Sequence, residues 1–582
     1  MEHAPYQLAE SLEQALGDPE GPGTVFSHAN CLDYDEQEAF PAEICRWLDD
    51  WGLADYYVPA EHGGALANYE QILQLMRAVA RRDLTVAIGH GKTYLGGVCV
   101  WVAGSPAQAA ILGCDIRIGD AVSLGLTERA HGSDLLAGEV CGRLEGSHWM
   151  VDGEKWLINN ATRGQIISLL TRTDPTGGPR GFSILLVDKR HLSTGTYRCL
   201  PKVPTHGIRG ADISGIAFDG ARVPGTSLVG PEGAGIEIVL KALQLTRTMC
   251  SALSLGAADH GLDVVLSFAE QRELFGRRLI DLPQARRTLA TAAADTLTGE
   301  ALAIVAGRSL HTLTAELSVT AAVTKYQVPT GTDATLAELA KMLGARAFLK
   351  DVHARGMFQK IERDHRIVGL FDGNTLVNLN GLINQFRVLA RGWERRDGVA
   401  DGARQAFDLA EPLPQLDPTR LSLLARHGST IVSALPGLID LVREAVDRDA
   451  PGLKAALASA ERVLAVTEGV HRAMRQQETA LTDVAPATFD LAKRYTLCFA
   501  AASAIGLWAY NHAAAESGRT GGLWQDALWL RAVLDRVLVR LGEPPSDDPD
   551  VYEQLLEQLR GHHEQHLLFS LLPLQLSAGE AR

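Results

Sequence analysis

The 582-residue sequence has no surplus of positive charge: 55 Lys and Arg stand against 70 Asp and Glu, a net charge of −15. Nucleic-acid backbones are bound by basic faces, so this balance excludes a general nucleic-acid binder. It leaves room for a small phosphorylated ligand held by a few local arginines. The eight cysteines, at Cys31, Cys45, Cys99, Cys114, Cys141, Cys199, Cys250 and Cys498, form neither a Cys-x-x-Cys pair nor a Cys/His cluster. That spacing offers no metal site and fits a reducing compartment. No run of about 18 uninterrupted apolar residues occurs, so no membrane span is expected. Residues 1–7 lack the basic and apolar regions of a secretory leader, and a cytoplasmic protein is expected. Gly89-His-Gly-Lys-Thr93 ends like a phosphate-binding loop, but the first glycine that such a loop needs falls at Val86. The stretch therefore reads as a helix–turn boundary. There is no internal repeat and no low-complexity tract.

What is present is ordinary for a soluble globular chain of three or four domains: 46% hydrophobic and 21% charged residues. Residues 1–118 read as an N-terminal α-domain, with Ile44, Trp47, Leu48 and Trp51 at helical spacing and an apolar stripe from Tyr69 to Arg82. Residues 119–225 change to short strands. Asp152-Gly153, with apolar residues on both sides, predicts a hairpin turn. Ile166–Leu170 and Gly181–Val187 read as strands, and Pro224 closes another. From Gly235 the helical period returns through Ile236, Val239, Leu240 and Leu243. Helices over 226–398 are expected to break at Leu282-Pro283 and again around Val328–Gly331. Residues 399–582, after a linker marked by Pro412, Pro414 and Pro418, read as a further all-helical domain.

The most informative stretch runs from Leu126 to Asp134. It joins an apolar strand, Ala121–Leu126, to a polar loop that can aim N–H groups and hydroxyls at a flat polar ligand or a pyrophosphate. Its Thr127-Glu128 and Gly132-Ser133-Asp134 resemble the signature of the acyl-CoA dehydrogenase family, where this segment holds FAD. The resemblance covers about residues 40–395, and its motifs follow in the family's order. It implies an α+β fold: an N-terminal helical domain, a central antiparallel β-domain and a C-terminal four-helix bundle. The extra all-α C-terminal domain resembles that of very-long-chain members. Lys155–Ala161 is similar to the second flavin segment, with Leu157 where an aromatic side chain usually packs on the ring and Asn159 in place of a threonine. An amide can still donate a hydrogen bond there. Leu126, Thr127, Gly132, Ser133, Leu157 and Asn159 are thus implied cofactor contacts. The passage from Gly207–Asp212 to Gly235 is similar to the family's entry into its substrate helix, where Thr246 and Arg247 resemble a pair near the acyl thioester. Arg272-Glu-Leu-Phe275-Gly276 and Gln284 resemble residues that reach the FAD of a neighbouring subunit, implying a homodimer or homotetramer. A guanidinium fork suits a pyrophosphate.

One element departs from the family. In place of a glycine-rich loop, Ala345–Arg355 carries larger side chains that restrict backbone approach. The segment from Arg363-Asp364 to Thr375 resembles the family's base-bearing loop, with Asp372 where a glutamate removes the α-proton. Gly373 and Asn374 fall among the cofactor contacts. A carboxylate abstracting a weakly acidic C–H needs a dry pocket, for which Ile367, Val368, Leu370 and Phe371 are available. Glu362 and Asp364 read as structural ion-pair partners, and His353 and His365 as surface residues. The resemblance implies an FAD-dependent desaturation of an acyl thioester, on CoA or a carrier protein, with an electron-transfer partner. Aspartate in the base position resembles nitroalkane oxidases, which leaves an oxygen-using oxidase or monooxygenase open. The altered glycine loop leaves open a flavin-free scaffold.

Overall fold

The computed structural model describes residues 3–396, 400–446, 451–477, 483–515 and 518–577. The N-terminal layer is built from α1 (Ala4–Leu16), α2 (His28–Glu36), α3 (Ala42–Trp51), α4 (Tyr69–Arg82), α5 (Leu84–Ala103) and α6 (Pro106–Arg117). Local chemistry sets their ends. Asn68 and Gln71 form a capping box at the start of α4, Asp83 caps α5 through the Val86 N–H, and Ser105 and Gln108 box α6 ahead of Pro106. The dismissed phosphate-loop stretch lies in the interior of α5, not at a helix–turn boundary. With Ala87, Ile88 and Tyr94 buried around it, tertiary packing overrides the weak helix propensity of its glycines.

The β-domain holds β1 (Val122–Gly125), β2 (Cys141–Glu145), β3 (His148–Asn159), β4 (Ile166–Arg172), β5 (Phe182–Asp188), β6 (Tyr197–Leu200), β7 (Ile213–Pro224) and β8 (Leu228–Val229). They form one mostly antiparallel sheet in the order β6-β7-β3-β2-β4-β5-β8, with β1 parallel to β4. The expected hairpin at Asp152-Gly153 does not form. β3 runs straight through these residues, and its turn lies earlier, at Gly146-Ser147. Gly153 instead absorbs a register shift against β7, with φ of +121°, and a Cβ there would sit 2.9 Å from the Val140 Cα. Asp152 turns outward, accepting from the Gly220 N–H at 2.7 Å.

The chain then enters α7 (Gly235–Gln271) and a short hairpin, β9 (Glu273–Leu274) and β10 (Arg277–Arg278). α8 (Pro283–Thr312), α9 (Leu317–Leu343), α10 (Met357–His365), α11 (Thr375–Ile383) and α12 (Phe386–Arg395) follow. α8 starts at Pro283 as expected, but α9 passes unbroken through Pro329. Proline removes one intrahelical bond, to the Lys325 carbonyl. The packing of α9 against α7 and α8 holds the helix together regardless. α8 is long and apolar enough to cross a membrane, yet it is a core helix, mostly buried and carrying the hydrogen-bonded Glu300 and Arg308. The expected boundary at residues 398–399 lies outside the described residues.

Beyond it come α13 (Ala400–Phe407), α14 (Thr430–Ser433), α15 (Leu435–Val446), α16 (Pro451–Gln476), α17 (Pro486–Ala515), α18 (Gly521–Trp524), α19 (Leu528–Arg540) and α20 (Val551–Glu564). α17, α19 and α20 pack on α8. Their Phe499, Trp508, Trp529 and Leu555 join the same buried cluster as the N-terminal helices and α7–α9, whereas the sheet closes a separate core around Trp149, Val151, Ile216 and Phe218.

Candidate active site

Asp372 lies in the turn between α10 and α11, in a conformation the backbone resists. Its φ is +56° and that of Gly373 is +90°; a non-glycine residue in this region costs on the order of 1–3 kcal/mol and persists only where its surroundings impose it. Here they do. Arg247 of α7 donates from Nε to the Asp372 carbonyl at 2.9 Å. Its guanidinium lies so close that a Cβ on Gly373 would meet it at 2.7 Å. Asn374 caps α11, accepting from the Val377 N–H at 2.9 Å, and Asn378 donates to the carbonyls of Gly373 and Asn374. Arg247 thus holds the backbone of the Asp372 turn, and Asn374 is committed to the helix start.

The Asp372 side chain enters a cleft between α4, α5 and α7 with about 290 Å³ of empty space. Its walls are largely apolar: Met76, Ile88, Leu95, Met249, Leu253 and Phe371, with buried Thr246 and Cys250 among them. The carboxylate itself is not isolated in apolar surroundings, as the sequence suggests. Lys92, from α5, donates to its Oδ2 at 2.8 Å, with both side chains largely buried. The same ammonium lies 3.6 Å from the centre of the Phe371 ring, and Cys250 Sγ is 3.9 Å from Oδ2. Lys325 of α9 also faces Phe371, its ammonium 5.2 Å from the ring centre and bonded to the Val368 carbonyl. Burial pulls the pKa values of Lys325 and Arg247 down, and Asp372 works against this in both. Of the four residues expected to dry the pocket, Val368 is fully buried, Ile367 and Phe371 are partly buried, and Leu370 points outward at 60% exposure.

On the sheet, the two glycine- and lysine-bearing segments are knitted into one surface. Glu128 accepts from Lys155 Nζ at 2.7 Å and from the Val140 and Glu139 N–H groups. Lys155 also donates to the Leu126 carbonyl, and the Trp156 N–H to the Thr127 carbonyl at 2.9 Å. Burial would raise the Glu128 pKa, but Lys155 and the two N–H groups hold it below its ordinary value. A second register shift in β3 puts Leu157 at φ +57° and leaves its side chain 42% exposed. A bulge of this kind re-aims a side chain. Two residues on, the Asn159 Oδ1 is buried without a hydrogen-bond partner. Leu126 and Thr127 are half-buried, and Gly132 and Ser133 are exposed.

Three expected contacts lie apart from this cleft in the single chain. Phe275, 96% exposed with φ of +54°, tips the β9–β10 hairpin, Arg272 is half-buried at its base, and Gln284 is exposed at the start of α8. The segment replacing the glycine loop folds into two 3₁₀ turns, with Asp351, Ala354 and Arg355 all at positive φ and Phe348 89% exposed. Asp364 is structural, accepting from Lys360 at 2.7 Å and from the Ile208 N–H at 2.6 Å, while Glu362 faces Arg366 at the surface. His365 is not a surface residue: it is fully buried, with Nδ1 2.6 Å from Asp333 and Nε2 2.9 Å from the Ser254 hydroxyl. Ser254 is itself fully buried within α7, so this chain of contacts clamps α7, α9 and α10 together. His353 is half-buried against Phe268 and the Val264 carbonyl. Among the described residues no group of three potential ligands could hold a metal ion, and all eight cysteines are free thiols.

Family models for the acyl-CoA dehydrogenase N-terminal, middle and C-terminal domains match residues 27–112, 123–221 and 233–385, together more than half of the chain. The probable acyl-CoA dehydrogenase FadE25 of Mycobacterium tuberculosis is 27% identical over 251 residues, which span 43% of this chain and 64% of that protein. The human mitochondrial short-chain specific acyl-CoA dehydrogenase is 26% identical over 368 residues, 61% of this chain and 85% of that one. Among solved structures, an acyl-CoA dehydrogenase from Bacillus anthracis complexed with FAD shares the fold over 96% of this chain and 94% of its own, with a TM-score of 0.67 and 17% identity. Butyryl-CoA dehydrogenase from Megasphaera elsdenii covers 65% of this chain and 95% of its own, with a TM-score of 0.59 and 20% identity.

Proposed function

The chain belongs to the acyl-CoA dehydrogenase family, and from that premise we propose that it is an FAD-dependent oxidoreductase that desaturates the α,β bond of an acyl thioester, with Asp372 as the base. The observation that carries this reading is the Asp372 turn: a carboxylate held at positive φ by Arg247 and delivered into a largely apolar cleft. Such strain is retained where a side chain must be aimed.

The residues of the β-domain fit a flavin. Leu157 offers an exposed apolar surface at a bulge, and Asn159 a buried amide oxygen that lacks a donor. These two, with Leu126, Thr127, Gly132 and Ser133, would hold the ring and the adjoining phosphates. Phe275 and Gln284 stand outward and Arg272 is half-buried beneath them, which fits a contribution to the cofactor of a second subunit in a homodimer or homotetramer. When bound, FAD supplies the two-electron acceptor for the β-hydrogen, which leaves as hydride. The chain's own residues handle the proton. Lys92 and Cys250 both sit on Asp372 Oδ2, which leaves Oδ1 to take the α-proton as the C–H bond breaks and the double bond forms. The apolar walls exclude water while this happens.

The test is the visible spectrum of the purified protein. A yellow protein whose flavin bleaches anaerobically with an acyl-CoA or acyl-pantetheine thioester supports the reading. A protein that takes up no FAD, or whose flavin no thioester bleaches, removes it. Thioester-dependent oxygen consumption with peroxide release would assign an oxidase instead.

A further inference from the structure

Three cations converge on one carboxylate beneath the acyl cleft. Lys92 is paired with Asp372. Lys325, with 1% of its surface exposed, bonds only the Val368 carbonyl and faces the Phe371 ring. Arg247 bonds only the Asp372 carbonyl. Neither of these last two has a carboxylate partner among the described residues. The acids on the neighbouring helices are committed elsewhere: Glu70 to His3 and Arg308, Glu300 to Arg77 and Tyr6. Buried charges are normally paired, because desolvation is otherwise uncompensated. A surplus of positive charge around a ligand cleft is therefore a feature that the ligand must complete.

The Lys92–Asp372 pair sharpens the point. An ammonium 2.8 Å from Oδ2 occupies one of the two oxygens with which Asp372 can meet a substrate. That oxygen is released when something else takes the ammonium, and a lysine on a flexible four-carbon stem can swing to a new partner.

We infer that the substrate is a short acyl thioester whose chain carries its own anionic group, such as a terminal carboxylate, which draws Lys92 away from Asp372 and pairs with it as the thioester binds. This rests on the acyl-thioester reading above. Even counting the space at its open mouth, the cleft holds about 290 Å³, room for a chain of a few carbons. The same charges disfavour a chain bearing an amino group. Lys92 then touches substrate and sets specificity.

The experiment compares two five-carbon thioesters on the FAD-loaded enzyme, mixed anaerobically while flavin absorbance is followed: glutaryl-CoA, ending in a carboxylate, and valeryl-CoA, its uncharged counterpart. Glutaryl-CoA should bleach the flavin with at least about tenfold higher rate over half-saturation. In Lys92→Met that preference should fall to near unity, while Lys92→Arg should keep part of it. Equal or faster bleaching by valeryl-CoA in the unmodified enzyme overturns the inference without needing any variant, and leaves the acyl-thioester reading intact. Equal slowing of both substrates in Lys92→Met, or loss of FAD from that variant, also overturns it, because the lysine would then serve the reaction or the cofactor and not the chain. Absence of bleaching by any thioester removes the parent reading and this one together.

Discussion

At the scale of single residues, the proposed chemistry depends on one carboxylate and on what touches it. Asp372 is one methylene shorter than glutamate, and its turn is pinned from behind by Arg247 and by the cap at Asn374. A base held this firmly has little freedom to accommodate a different length. Asp372→Asn should lower the rate of flavin bleaching by at least about a hundredfold while FAD stays bound, because only proton removal is lost. Asp372→Glu should retain activity, reduced by up to about a hundredfold by a displacement on the order of 1 Å. Single-turnover bleaching checks both, and full turnover in Asp372→Asn would remove the base assignment. The position of this carboxylate was legible from the order of motifs leading to Arg363-Asp364. Its partner was not. Lys92 lies 280 residues away in sequence, and its local context resembles only a broken phosphate loop. A signal was there nonetheless: Lys92 is the only Lys, Arg, Asp or Glu in the twenty residues of α5, and a lone ammonium on a buried helix needs a partner.

At the scale of elements, β3 does two jobs with two register shifts. The first, at Gly153, lets a long strand continue where sequence pattern predicts a turn. The second, at Leu157, turns an apolar side chain outward beside the unpartnered amide of Asn159. The Asp-Gly signal was sound chemistry for a positive φ. It misled because a glycine at positive φ serves a bulge as well as a hairpin, and only the pairing with β7 decides which. What fixes the loop from Leu126 to Val140 onto β3 is the Glu128–Lys155 pair, with exposures of 6% and 1%. Glu128→Ala would leave a buried ammonium without its counter-ion and two N–H groups without their acceptor. It should destabilise the protein by roughly 3–5 kcal/mol, read as a lower midpoint in denaturant unfolding, with FAD retention falling in parallel. A loss below about 1 kcal/mol would mean that the pair is not structural.

At the scale of the whole molecule, the ends of the chain are fastened to the bundle through buried charges. His3 and Arg308 meet at Glu70, while Tyr6, Arg77, Ser570 and the Leu571 N–H meet at Glu300. The N-terminal helix, the bundle and the C-terminal extension thereby share one core. Burial by itself would raise the Glu70 pKa, yet His3 and Arg308 hold it down to about 2, from an ordinary 4.5. A depressed carboxylate stabilises the fold fully above about pH 4.5, and that contribution is lost as the pH falls through about 2. Its size is on the order of 3 kcal/mol. Glu70→Gln should therefore melt at a lower temperature than the unmodified protein near neutrality, and the gap should close as the pH is lowered from 4.5. A gap independent of pH would contradict the assignment.

Periodicity, turn residues and motif order by themselves determined the helix–sheet–helix succession, the family resemblance and the segment that carries Asp372. These are properties of neighbours in sequence, where φ/ψ preference, side-chain period and local hydrogen bonds act. Tertiary structure alone decided what Asp372 rests against, where Arg247 spends its hydrogen bond, that His365 is buried, and that α9 survives its proline. Each of these is a contact between elements far apart in the chain. Its energy comes from burial and charge pairing that exist only once the helices have packed, and no local pattern encodes it.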